Sequence, residues 1–186
     1  ESINYTSCIC TCLPELAICI DRNRFFERFL MPGDYMLLNQ GQIAVEYWEG
    51  QITYDMLMAN ELAISSDPDI QKGSIYLVDM RKATTDVTME QVREIADVTI
   101  HGEYGIRYSK AAIVCTENLT FTQSQMYELS VCQHGLSIIT FTSLPIACRW
   151  LNVDIDMIER AIGKLQHHLL PHAPHSVDEK KVIKVL

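Results

Sequence analysis

Ser74–Met80 (SIYLVDM), Lys110–Cys115 (KAAIVC) and Leu136–Phe141 (LSIITF) are three short apolar runs, each followed by a stretch with helical spacing. Nearly continuous apolar runs of this length read as strands covered on both faces. The stretches between them then act as right-handed crossovers, which makes the sheet mainly parallel. After the first run, Met89, Val92, Ile95, Ala96 and Ile100 fall on one helical face. Thr88 as N-cap with Gln91 three residues on matches a capping box. The second run leads to a helix over Thr122–Gln133, ended by His134-Gly135. The third leads to a short helix Leu144–Leu151 with Pro145 in its first turn.

Working upstream, Tyr35–Asn39 and Gln42–Trp48 are extended segments joined around Gln40-Gly41. Ile43, Val45 and Tyr47 alternate with Ala44, Glu46 and Trp48, which predicts a hairpin ended by Gly50. Thr53 caps a helix carried by Met56, Leu57, Asn60, Leu62 and Ile64, and Ser65-Ser66-Asp67-Pro68 stops it. Asp79 and Arg81 are read as the C-terminal end of the first parallel strand, followed by a polar loop over Lys82–Asp86. The fold class is therefore α/β, a mixed but mainly parallel sheet of four to five strands flanked by helices.

Four stretches are expected: an N-terminal extension (1–33), a domain (34–152), an amphipathic helix (153–170) and a mobile polar tail (171–186). In the extension, Cys8-Ile9-Cys10-Thr11-Cys12 alternates, and Asp21–Leu30 has the spacing of a short helix. In the C-terminal helix, Ile155, Ile158, Ile162, Leu165 and Leu169 form a stripe of two heptads. That stripe is the expected interface for a second chain, most simply in a symmetric homodimer.

The composition bounds the function. The chain has 186 residues and is 48% hydrophobic, enough for one core. A net charge of −9 without a Lys/Arg cluster argues against a nucleic-acid partner. Seven cysteines cannot all pair internally, and Cys115, Cys132 and Cys148 fall in segments where thiols act as small apolar groups. This usage fits a reducing, cytoplasmic setting. No apolar stretch reaches the roughly 18–20 residues of a spanning helix. Cys8–Ile20 is interrupted by Pro14 and Glu15 and lacks a basic segment before it, so neither an integral membrane segment nor a signal peptide is expected.

The order of elements carries a resemblance. A hairpin and helix precede a strand ending in Val78-Asp79-Met80-Arg81, then come the strands K-A-A-I-V-C and I-I-T-F, and Ala147-Cys148-Arg149-Trp150-Leu151 closes the set. Over about residues 34–152 this resembles the SpoIIAA-like branch of the STAS fold, a group of small bacterial domains. The resemblance implies a regulatory or scaffolding module. It also implies two more specific roles: a carrier of lipid-like nonpolar molecules, or a phosphorylation-controlled switch of the anti-sigma antagonist type. In the switch version Val78-Asp79-Met80 lines up with the family's L-D-L strand, and the phosphorylated residue falls at Thr88. The family's D-S/T-S-G signature reads here as Val87-Thr88-Met89-Glu90, so the preceding Asp and the Gly are both replaced.

Candidate binding residues follow from position. Asp79 and Arg81 lie at the strand edge where open α/β sheets bind ligands, with an anchoring ion pair as the plainer alternative. Thr84, Thr85 and Thr88 precede a helix N-terminus, which can hold an anion or simply be capped. Thr116, in the loop Thr116–Asn118, belongs to the same set of loops. Met56, Met58, Met80, Met89 and Met126 with Tyr54 and Tyr127 are either plain core or the wall of one adaptable cavity. Cys8, Cys10, Cys12 and Cys19 match no usual zinc spacing, and His167, His168, His172 and His175 read as a solvated tract, so no metal is assigned. No phosphate-binding loop, dinucleotide fingerprint or nucleophile elbow is present. The expected function is thus a non-enzymatic binding module without a cofactor, whose partner is a protein or a nonpolar small molecule. A weak phosphate-ester activity around Asp79, Arg81 and Thr88 is the enzymatic alternative.

Overall fold

A computed structural model describes residues 33–102 and 105–169. The extension over 1–32 and the tail from 170 onward, with His172, His175 and four of the seven cysteines, lie outside the described residues.

The chain runs β1 (Gly33–Leu38), β2 (Ile43–Ile52), α1 (Tyr54–Ser65), β3 (Ser74–Thr85), α2 (Met89–His101), β4 (Tyr108–Val114), α3 (Leu119–Cys132), β5 (Ser137–Phe141), α4 (Leu144–Leu151) and α5 (Ile155–Leu169). The five strands form one sheet in sequence order, β1-β2-β3-β4-β5. β1 is antiparallel to β2, and every later pair is parallel. This is the mixed α/β sheet read from the three apolar runs.

The β1–β2 turn uses left-handed backbone at Asn39, Gln40 and Gly41. A Cβ on Gly41 would lie 1.9 Å from the Asp69 carbonyl oxygen, so only glycine lets the turn seat against that loop. Three consecutive β-α-β connections step one strand in the same direction, so right-handed crossovers put α1, α2 and α3 on one face. Ile64, Ala96 and Val131 from these helices join Ala44, Trp48, Val78 and Ile113 in one core. The other face carries α4 and α5, whose Leu144, Leu151, Ile158 and Leu165 pack on Val45, Leu77 and Val114.

Two expectations are corrected here. β3 does not end near Arg81; it continues to Thr85 and pairs with the second half of β2. From Tyr47 to Glu49 β2 advances two residues while β3 advances three, from Asp79 to Lys82. The extra residue is a β-bulge, and past it Ala83 and Thr85 turn inward while Lys82 and Thr84 stay exposed. That inward alternation, inside a stretch rich in polar residues, is why the segment reads as a loop and folds as a strand. The second correction concerns α5. Ile158, Ile162 and Leu165 are buried against the chain's own sheet, so they are not open to a second chain; Ile155 and Leu169 flank them, half-buried. The boundary placed after residue 152 therefore cuts through one core. No helix among the described residues is long and apolar enough to cross a membrane.

Candidate functional site

The face under α1–α3 lines a cavity of about 90 Å³. Val78, Met80, Ile95, Ile113 and Leu136 supply apolar wall. Into this wall the chain sets two carboxyl groups. Glu46 shares the inward face of β2 with Ala44 and Trp48, because side chains alternate along a strand. Glu61 and Asn60 sit on the inner side of α1 with Ile64, while Leu62 points outward. No ion pair to either carboxylate forms among the described residues.

Hydrogen bonds hold both acids in place. The Trp48 indole N–H and the Asn60 amide (2.8 Å) donate to the same Glu46 oxygen. The Thr99 hydroxyl on α2 lies 2.6 Å from Glu61 Oε1 and 2.7 Å from the Tyr127 hydroxyl on α3. Burial pushes the Glu46 carboxyl up to about 8, against the pull of the Trp48 hydrogen bond, and Glu61 adds to the rise. Burial likewise raises Glu61 to about 7, opposed by Thr99. A charged carboxylate without a counter-charge is costly in such surroundings, so the proton is retained instead. Tyr108 and Tyr127 are pushed up by burial first, then by the nearby Glu61.

Two polar atoms in the lining have no hydrogen-bond partner. They are the Tyr76 hydroxyl and the Gln123 Oε1 oxygen, on residues 6% and 4% exposed. The Gln123 amide nitrogen donates to the Val87 carbonyl, which fixes which end of the side chain is left over. Buried polar groups without partners are uncommon and mark places where a ligand or water completes the bonding.

The residues singled out from sequence fall in different places. Asp79 shares Leu77's face of β3, away from the cavity, and is 1% exposed. Its carboxylate accepts two bonds from the Arg81 guanidinium, at 2.9 and 2.8 Å, and one from the Arg81 backbone N–H at 3.1 Å. The pair clamps the bulge, because the carboxylate takes up the Arg81 N–H locally. Thr85 lines the cavity, and its hydroxyl accepts from the Val87 N–H at 3.4 Å. Thr116 is exposed and accepts from Asn118. Thr88 is exposed and forms the expected capping box with Gln91. Of the methionine and tyrosine set, Met80 and Tyr127 line the cavity. Cys115 and Cys148 are buried free thiols, but Cys132 is exposed at the end of α3, contrary to expectation, because it falls on the solvent side of the last turn. No metal-competent cluster occurs among the described residues.

Glu46 and Glu61 escape a reading of the sequence. Glu46 lies in a period-two strand whose polar positions are read as solvated, and Glu61 in a helix whose apolar residues point both in and out. The available signal is that Glu46 shares its parity with Trp48 and Ala44, both fully buried.

No family model matches the chain, and no curated protein sequence matches it. Among solved structures it is similar to an uncharacterised protein of the DUF3478 family with a SpoIIAA-like fold, from Shewanella loihica PV-4. The likeness is one of fold. The two are 12% identical, the match covers 64% of this chain and 93% of that one, and the TM-score is 0.43.

Proposed function

We propose that this domain is a non-enzymatic binding module whose ligand is a small, mainly apolar molecule held in the cavity between the sheet and α1–α3. The observation that carries the reading is the apolar cavity with two unpartnered polar atoms in its wall, the Tyr76 hydroxyl and Gln123 Oε1. An engineered cavity of about 150 Å³ takes benzene. The space here is about 90 Å³, so the ligand is smaller than benzene unless the helices shift. A lipid-like chain requires that shift. The phosphate-ester alternative loses its constellation, since Asp79 and Arg81 are engaged with each other on one face and Thr88 caps a helix on the other. The switch alternative retains an accessible Thr88, but Glu90 in the same turn repels a phosphate there. Among the described residues Cys115, Cys132 and Cys148 are free thiols, which agrees with a reducing, cytoplasmic setting.

Xenon dissolved in a solution of the full chain tests the reading. Methyl resonances of Val78, Ile95 and Ile113 are expected to shift in a saturable way, while those of Val45 and Leu165 stay fixed. Equal, non-saturating shifts on both faces would remove the cavity as a binding site.

A further inference from the structure

The cavity of about 90 Å³ has an uneven balance of donors and acceptors. Every fixed N–H donor near the acids is already spent: the Trp48 indole and the Asn60 amide on Glu46, and the Gln123 amide on the Val87 carbonyl. The hydroxyl chain can run in one sense, Tyr127 donating to Thr99 and Thr99 to Glu61, so it too ends on a carboxylate. What remains for an occupant is the Gln123 carbonyl oxygen, an acceptor only, and the Tyr76 hydroxyl, which can give or take. Around them stand the rings of Trp48, Tyr76, Tyr108 and Tyr127, with Tyr76 and Tyr108 stacked at 4.5 Å.

Once the two acids are ionised, above about 7 for Glu61 and about 8 for Glu46, such a wall rejects an anion, which would meet two carboxylates and find no N–H. A group with several donors and a positive charge fits it, through charge-assisted bonds to carboxylate and carbonyl and through attraction to ring faces. We propose, resting on the binding-module reading above, that the cavity selects a small alkyl ammonium: a primary amine on a short apolar chain.

The groups facing the acids set the pH behaviour. Glu46 is faced by Asn60 and Glu61 from α1, and Asp34 on β1 adds negative charge. Glu61 meets Thr99 from α2 and Tyr127 from α3, with Tyr108 of β4 close enough to feel it; Tyr76 of β3 completes the wall, and Arg107 acts on Tyr108. An ammonium entering this set favours the ionised acids, so binding expels protons. Affinity therefore rises with pH through the values of Glu61, about 7, and Glu46, about 8, and falls only when the amine itself loses its proton.

The test uses three probes of equal heavy-atom count, each smaller than benzene, on the full chain, followed by NMR shift perturbation: n-propylammonium, n-propanol and acetate. With four heavy atoms, even ideal contacts limit the amine to a Kd no tighter than roughly tens of micromolar. The amine is expected to bind at least about tenfold better than the alcohol, with no binding of acetate and with the pH trend just described. Glu61→Gln should weaken the amine about tenfold, and Tyr76→Phe, which keeps the volume and tests the same wall if the first variant unfolds, about threefold. If the alcohol binds as well as the amine, or acetate binds, the ammonium inference fails while the cavity reading stands. If neither xenon nor any of the probes binds, both fail.

Discussion

The face of the sheet under α4 and α5 is filled by interdigitating aliphatic side chains, with Ile158, Leu151 and Leu165 at most 1% exposed. The face under α1–α3 has larger side chains, among them Trp48, Tyr76 and Tyr108, yet it keeps a cavity and two acids. Each face also holds carboxylates, and their treatment differs. Asp79 is matched by Arg81 at 2.8 Å, whereas Glu46 and Glu61 receive only neutral donors. One face is thus built for closure. The other leaves polar capacity unused, which costs stability and is sustained where a site requires it.

The closed face gives the largest expected effect. Ile158→Asp places an unpaired charge where the side chain is 0% exposed. That costs several kcal/mol against a total stability of about 5–15 kcal/mol. Circular dichroism is expected to find the variant largely unfolded. If instead it stays folded and converts a dimer to a monomer by light scattering, the helix stripe is an interface after all and the two-face picture breaks.

The acids of the cavity face come next. In the folded protein Glu46 and Glu61 hold their protons up to about 8 and about 7, against 4.5 for a solvent-exposed glutamate. Their folded values are raised, so their contribution is fully present below about pH 4.5. It is then lost as pH climbs to about 8, because the unfolded chain releases its protons first. Urea unfolding should find the protein less stable at pH 8.5 than at pH 5 by on the order of 3–5 kcal/mol from this pair. Glu46→Gln keeps the acceptor for Trp48 and Asn60 but cannot ionise, and it should flatten a large part of the slope. An unchanged slope would mean that the acids are better solvated than their burial implies.

Much of this architecture is legible from the chain, for physical reasons that also mark where legibility stops. Apolar runs such as Leu77-Val78 and Ala111–Cys115 must be strands with both faces covered, and Thr88 with Gln91 must start a helix, because each pattern has one cheap solution. α5 is legible as an amphipathic helix, but its stripe fits a partner's surface and its own sheet equally well, and only three-dimensional packing decides between them. The bulge at Asp79–Lys82 is invisible because it changes the parity of β3 without changing composition. The site is hidden most thoroughly. Glu46 and Glu61 are 15 positions apart in sequence and meet only when α1 folds back over β2.

Adjacent alanines on β4 compare the faces directly. Ala111 lines the cavity, and Ala112 packs in the closed core; both are at most 1% exposed. Ala112→Val overfills a dense core and should cost about 1–3 kcal/mol. Ala111→Val adds two methyl groups beside open volume and should be neutral to within about 1 kcal/mol, with weaker xenon binding. Equal penalties for the two substitutions, read from urea midpoints, would mean that the two faces are packed alike.

The smallest effect concerns the start of α2, one of the helices over the cavity. Thr88 is exposed and touches no lining residue through its hydroxyl; it accepts from the Gln91 N–H at 3.2 Å, and the Gln91 side chain accepts from the Thr88 N–H at 2.8 Å. Thr88→Ala removes one half of this box and should cost about 1 kcal/mol. The loss falls on α2, which carries Val92 and Ile95 over the cavity, so it measures how firmly that helix is held. Hydrogen exchange should quicken in the first turn of α2 and leave α4 and α5 unchanged. If protection falls on both faces together, the sheet and its helices open as one cooperative unit, and the looser packing of the cavity face has no separate mobility.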